Sequence, residues 1–383
     1  MSDRHYLDHA SSSALRPEGG LAISKWIAEQ PTGDPGRVHT EGQIARDAIE
    51  QARAQVAALL GTASNRVVFT SSATEAANAA IFAASRSHPG TPTVCAGVEH
   101  SCVREAAERS GQVLLLEVDS SGRIDLDHLD SLLAAKGQQR PALVNCQWFN
   151  HEVGTLQPVA EVVARCRSAG VGVHVDAAAA AGHVPLDLDE LGADYVSVSG
   201  HKFGAPPGVG VLVVRRGLRP EPLIVGGSQE RARRGGFENI IGIIGLGAVA
   251  AALAEPGRLS REEAAARGFT DALARAATSV GDVALLGDPT RRAPHIVTAT
   301  VGHVLGEAVL LGLDRSGIAA HSGSACSSES IEPSPVLAAM GADPDSSLRL
   351  SVGWSTTEAD VEAFASAFPR VVERLRALKS SDT

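Results

Sequence analysis

Long apolar runs, paired cysteines and an excess of basic charge are all missing from this 383-residue chain, and each absence excludes something. No stretch approaches the roughly 20 consecutive apolar residues that a membrane-spanning helix requires, so no membrane partner is expected. The opening "MSDRHYLDHASSS" has no apolar segment of signal-peptide type, which makes the cytoplasm the expected location. Acidic side chains outnumber basic ones by 44 to 34, the wrong sign for a nucleic-acid surface. The five cysteines (Cys95, Cys102, Cys146, Cys166 and Cys326) are odd in number, widely spaced and never arranged as C-x-x-C. Neither a disulfide framework nor a structural zinc site is expected from them, and no metal is expected elsewhere. Aromatic residues are few and alanines many, a compositional bias from which no function follows.

What is present is a foldable chain. A hydrophobic content of 44% supports a substantial core, and the length suits one large domain with a smaller one. "IARDAIEQARAQVAALLG" has helical periodicity and closes on Gly61, and "SATEAANAAIFAASRS" is a second helix after a Ser/Thr turn. Between and beyond such helices lie short apolar runs: "RVVFTS", "TPTVCA", "QVLLLEV", "ALVNCQ", "VGVHVDA", "DYVSVS" and "VGVLVV". Alternating β and α units with continuously apolar strands predict an α/β fold with a mostly parallel sheet covered on both faces. The pattern changes near Asn239, where "IIGIIGLGAVAAALAE" reads as a long helix. Its glycines superficially match a dinucleotide-binding turn, but they sit inside an apolar helix and in the wrong order. The expected division is a large domain over 14–255 and a smaller α+β domain over 256–383, with residues 1–13 packing on the latter. Cys95 and Cys146, inside strand-like runs, read as small core residues; Cys326, in "HSGSACSSES", has small polar neighbours instead.

Four features fall where strands should end, the edge at which open α/β sheets bind ligands. Ser71-Ser72-Ala73-Thr74 opens a helix and offers backbone amides and hydroxyls to an anion, although a helix cap has the same signature. His100 in "GVEHSCV" stands between a strand and a helix. Asp176 closes the strand "VHVD". Lys202, in "VSGHKFGAPPG", follows Ser199 and His201 at the end of another interior strand. Each alone has a structural explanation. Together they supply what pyridoxal phosphate needs: an amine for a Schiff base, a phosphate cradle, a carboxylate facing the pyridinium nitrogen and a ring to lie against the cofactor.

At this point the chain resembles the cysteine desulfurases of the class V aminotransferase group, which are fold type I pyridoxal-phosphate enzymes. The resemblance runs nearly end to end through "YLDHASSSA", "FTSSATEAAN", "NHEVGTLQP", "HVDAA", "SGHKFGAPPGVG", "GGSQERARRGGFEN", "SGSACSS" and "LRLSVGWSTTE". It implies that Lys202 carries the cofactor, and that Ala73, Thr74, Ser199 and His201 hold its phosphate. It further implies that Asp176 pairs with the ring nitrogen, that His100 stacks on the ring, and that Arg349 forks the substrate carboxylate. Cys326 would be the nucleophile that takes sulfur from L-cysteine, leaving alanine and an enzyme persulfide. Lys202, His100 and Cys326 are thus the expected catalytic residues. A homodimer and a sulfur-acceptor protein are the implied partners.

The family pattern is interrupted at several positions. His151 stands where Asn is usual, Ala179 where Gln is usual, Gly235-Gly236-Phe237 where Ser-Gly-Thr is usual, and Trp354 where a second arginine is usual. His151 is expected to face the cofactor hydroxyl and the substrate in space left by Ala179, either as a hydrogen-bonding and proton-moving group or as filler of that volume. A carbon–sulfur lyase that eliminates from an S-substituted cysteine conjugate, without need of Cys326, is the alternative activity.

Overall fold

The computed structural model describes residues 4–29, 33–322 and 333–381. The first strand, β1 (His5–Tyr6), pairs in parallel with β11 (Ile318–Ala319). Seven strands then build the main sheet: β2 (Val67–Thr70), β3 (Thr93–Ala96), β4 (Val113–Leu116), β5 (Leu143–Gln147), β6 (Gly172–Asp176), β7 (Tyr195–Ser199) and β8 (Gly210–Val214). Their order is β2-β8-β7-β6-β5-β3-β4, and only β8 runs against its neighbours. The exception has a local cause. β7 and β8 are joined by a ten-residue turn, too short for the crossover helix that a parallel connection needs. Every residue of β2, β3, β5, β7 and β8 is buried, as strands covered on both faces must be.

Helices Ala73–Ser87 and Ser101–Ser110 cover one face, against Val68, Cys95, Leu143 and Leu212. Helices Thr40–Leu59, Val159–Ala169 and Ile240–Leu253 contribute to the core on the other. The glycines of "GIIGLG" serve packing: a Cβ at Gly247 would lie 2.6 Å from that of Ala52, so the two helices meet only where one side chain is missing. Cys95, Cys146 and Cys166 are buried and free, and burial pushes each thiol up.

A separate core lies under a three-stranded antiparallel sheet of β9 (Val283–Leu286), β10 (Ile296–Val301) and β12 (Ser347–Ser351). It is filled by Leu273, Val309, Leu313, Phe364 and Phe368 from three helices and by Leu7 from the N-terminal segment. Leu259 and Ile296 instead join the main core, so the two regions interdigitate. Among the described residues no single helix is long and apolar enough to cross a membrane.

One buried ion pair fixes the loop beyond β8. Arg53 reaches Glu230 through two hydrogen bonds of 2.6 and 2.8 Å, and Glu230 also accepts from the Phe69 amide at 2.8 Å. Both side chains are almost wholly buried. The contact holds Glu230, Arg231 and Ala232 in left-handed backbone conformations (φ of 49°, 60° and 62°), which non-glycine residues adopt only at a cost. Glu230→Ala leaves the buried Arg53 only the half-exposed Glu50 carboxylate and the Val67 carbonyl, and releases that loop. Chemical denaturation of the variant is expected to show a loss of about 3–5 kcal/mol; a loss within the ordinary surface range would mean that the pair is solvated.

Candidate active site

β2 runs antiparallel to β8, which runs antiparallel to β7, so β2 and β7 point the same way. The carboxyl ends of β2, β3, β5, β6 and β7 therefore open on one edge of the sheet. A cavity of about 400 Å³ lies there. Ala73, Thr74, His100, His151, Asp176, Ser199, His201, Lys202 and Arg349 all line it. Sequence reasoning named all nine, and they come from segments up to 276 residues apart, the Ala73-to-Arg349 interval (349 minus 73). Cys326 lies outside the described residues.

Lys202 sits in a short turn, Gly200–Phe203, directly after β7. Its amine forms no hydrogen bond or ion pair among the described residues. Burial lowers its affinity for a proton, the Asp176 carboxylate works in the opposite direction, and Arg349 reinforces burial. A desolvated lysine with no partner among the described residues is costly as a structural element and suited to a nucleophilic amine. Asp176 closes β6; its Oδ1 accepts from the Ala178 amide at 3.0 Å and from Ser197 Oγ at 2.9 Å.

At one end of the cavity, helix Ala73–Ser87 begins. Ser72 caps it by accepting from the Glu75 amide at 3.1 Å, and Glu75 accepts from the Ser71 amide at 2.8 Å. This reciprocal cap leaves the amides of Ala73 and Thr74, the first two of the helix, without a helical acceptor. Such an N-terminus suits a phosphate.

His100 caps helix Ser101–Ser110, its Nδ1 accepting from the Cys102 amide at 3.1 Å. The neutral ring therefore carries its proton on Nε2. Burial, with His151 and Lys202 nearby, pushes it down to about 3. His151 meets the His100 ring edge-on, with centroids 4.9 Å apart. Burial, then Lys202 and Arg349, push it also to about 3, and its buried Nδ1 has no protein partner. Arg349 rises from β12 beneath them. Its Nη1 donates to the His151 carbonyl at 2.9 Å, and its Nη2 donates to Asp8 at 2.8 Å and to Ser11 at 2.7 Å. Its buried Nε is unpartnered. An amine, an imidazole nitrogen and a guanidinium N–H without partners among the described residues, beside a free helix N-terminus, fit an anionic heteroaromatic cofactor together with an amino-acid carboxylate.

Several residues of the cavity escaped sequence reasoning. Glu99 is fully buried, accepts from the Gln147 amide at 2.8 Å, and is pushed up to about 8 by burial. Glu152 is pushed up to about 7 by burial, against the hydrogen bond of 2.5 Å that it accepts from Ser334. Cys102 and His321 also line the wall. Their only signal was adjacency to His100, His151 and the "SGSACSS" segment.

The interruptions in the family pattern separate spatially. Ala179 shares the cavity with His151. Trp354 does not. Its Nε1 donates to the Ala14 carbonyl at 2.8 Å, the Arg16 guanidinium lies 5.5 Å from its ring centre, and it lines a different cavity of about 230 Å³. Phe237 is more than half exposed, outside the main cavity.

A family model described as aminotransferase class-V matches residues 5–364. A protein of Nostoc sp. named cysteine desulfurase is 39% identical over 97% of this chain and 94% of its own length. One of Dictyoglomus turgidum, named cysteine desulfurase IscS, is 36% identical over 99% of this chain and 97% of its own. Among solved structures, a NifS-like protein from Rickettsia africae superposes with a TM-score of 0.88 at 27% identity, covering 97% of this chain and 99% of that one. With its sheet, its strand-end cavity and a match over nearly its whole length, the chain belongs to the aminotransferase class-V family.

Proposed function

We propose that this protein is a pyridoxal-phosphate-dependent cysteine desulfurase that converts L-cysteine to L-alanine and carries the sulfur as a persulfide on Cys326. The observation that supports it most is the unpaired Lys202 sharing one cavity with Asp176, His100 and Arg349. The family and the names of its relatives agree with this reading. Bound pyridoxal phosphate supplies the electron sink that makes the substrate α-carbon acidic.

The chain's own groups do the rest. Lys202 would hold the cofactor and would be the amine that takes the substrate's α-proton; burial lowers its affinity for a proton. Asp176 would present a carboxylate to the ring nitrogen, and Ala73, Thr74, Ser199 and His201 would hold the phosphate. His100 offers a neutral ring face. Arg349, already oriented by Asp8, Ser11 and the His151 carbonyl, receives the substrate carboxylate with its remaining N–H. Cys326 as thiolate attacks the substrate sulfur. The carbon–sulfur bond breaks with its electrons on carbon, and the proton added there balances the one lost by the Cys326 thiol. His151, in the cavity it shares with Ala179, would donate to the cofactor hydroxyl and move protons. A homodimer and a protein acceptor for the persulfide complete the proposal; exposed Val225, Phe237 and Ile241 favour a second copy as a partner.

Three variants test these assignments. Borohydride reduction is expected to fix pyridoxal phosphate on wild-type protein at the peptide containing Lys202, and to fix none on Lys202→Ala; a wild-type protein that takes up no cofactor overturns the proposal. Cys326→Ala is expected to keep the cofactor yet yield neither protein persulfide nor alanine from L-cysteine. Full turnover in that variant, with pyruvate and ammonia as products, would mean elimination instead. His151→Ala is expected to shift the absorbance of bound cofactor and to lower turnover roughly 100-fold, the scale of a lost acid–base group. No change in either measurement would reduce His151 to a space-filling side chain.

A further inference from the structure

Beneath Asp176 a line of buried hydrogen bonds crosses the main sheet. Asn145 Nδ2 donates to the Val94 carbonyl at 3.0 Å, and Asn145 Oδ1 faces His174 Nδ1 at 3.0 Å. His174 Nε2 faces Ser197 Oγ at 3.1 Å, and Ser197 Oγ lies 2.9 Å from Asp176 Oδ1. Asn145, His174 and Ser197 are wholly buried, and Asp176 nearly so, so water does not complete the pattern.

The donors can be counted from one end. A carbonyl only accepts, so Val94 fixes the amide nitrogen of Asn145, and the oxygen is left facing His174. His174 Nδ1 must therefore carry a hydrogen. At the other end, an ionised Asp176 only accepts, and the single Ser197 hydrogen is spent on it. Ser197 Oγ can then only accept from His174, so Nε2 must carry a hydrogen as well. With a neutral ring, one contact becomes two acceptors facing each other inside the core, which costs the desolvation of both. Every contact closes in two arrangements only: imidazolium with carboxylate, or neutral imidazole with carboxylic acid. They contain the same number of protons and interconvert by a double transfer through Ser197: Nε2 gives its hydrogen to Oγ as Oγ gives its own to Asp176 Oδ1. Burial opposes charge on the ring, pushing it down to about 4, and the Asp176 carboxylate opposes burial. A cationic ring nitrogen against Asp176 would select the first arrangement, because only a carboxylate pairs with it.

We propose that His174 and Ser197 are positioning residues that hold Asp176 ionised, with His174 an imidazolium whenever a protonated pyridine nitrogen is seated against that carboxylate. The inference rests on the cofactor assignment above. In the catalysed reaction the chain consumes nothing and transfers nothing to substrate. It keeps the counter-charge to the cofactor in place, with the compensating proton two hydrogen bonds deeper.

The test is ¹⁵N spectroscopy of histidine-labelled protein loaded with pyridoxal phosphate, with the His174 signals identified by their loss in His174→Gln. Both ring nitrogens of His174 are expected to be protonated at neutral pH. Ser197→Ala is expected to return the ring to its neutral form and to weaken cofactor retention roughly tenfold or more, the scale of a lost hydrogen bond to a charged group. Ser197→Thr, which keeps the hydroxyl, is expected to restore both. A loaded wild-type protein with one bare His174 nitrogen overturns the inference, as does an imidazolium that persists in Ser197→Ala. Failure of the protein to bind pyridoxal phosphate at all, seen in its absorbance, would instead overturn the functional reading.

Discussion

The arrangement of the site follows from one constraint: Lys202 is half-buried in the cavity and has no anionic partner in contact among the described residues. An ammonium in that position is expensive unless something else in the cavity offsets it. Around it the same desolvation acts on several neighbours. It pushes His100 and His151 down to about 3 and pushes Glu99 and Glu152 up to about 8 and 7, so much of the wall is uncharged or close to it. Against that background Arg349 and the helix start at Ala73 are strong local features. A cavity with this balance has places for anions and few of its own. It suits a phosphate at one end and a carboxylate at the other, and it explains why the amine between them can be left unpaired.

Much of this was legible in the sequence because the sheet makes it so. A parallel sheet buried on both faces demands continuous apolar runs, and seven such runs became seven strands. In that architecture a polar residue at the end of a run is already placed at the ligand-binding edge. Lys202, Asp176 and His100 could therefore be singled out without knowing the strand order. Arg349 was found differently, through family resemblance, since nothing in "SLRLS" says that β12, in the other sheet, brings a side chain to this cavity.

What could not be read depends on register and depth. Asn145, His174 and Ser197 lie in three different strands, and their alignment follows from the pairing of Asn145 with His174 and of Asp176 with Ser197. In a linear reading each is a polar residue interrupting an apolar run. Glu99 and Glu152 look like ordinary turn acids; only their burial makes them reluctant to ionise. Trp354 stands where an arginine was expected, and its indole turns away to the Ala14 carbonyl. That position therefore says little about the chemistry of the main cavity.

His151 divides its work between backbone and side chain, and the division explains how a residue there can change without dismantling the site. The His151 carbonyl accepts from Arg349 Nη1, a contact that any residue could provide. The Arg349 guanidinium is thus oriented by the turn after β5, whose conformation is fixed by Asn150: its Oδ1 accepts from the amides of Glu152 and Val153 at 2.9 and 2.7 Å. Only the imidazole distinguishes this chain, and it projects beside the small Ala179 among groups that keep it neutral. Substitution at 151 consequently leaves the backbone contact that orients Arg349 in place. It acts on the part of the cavity that His100 and Lys202 share, where proton positions are decided.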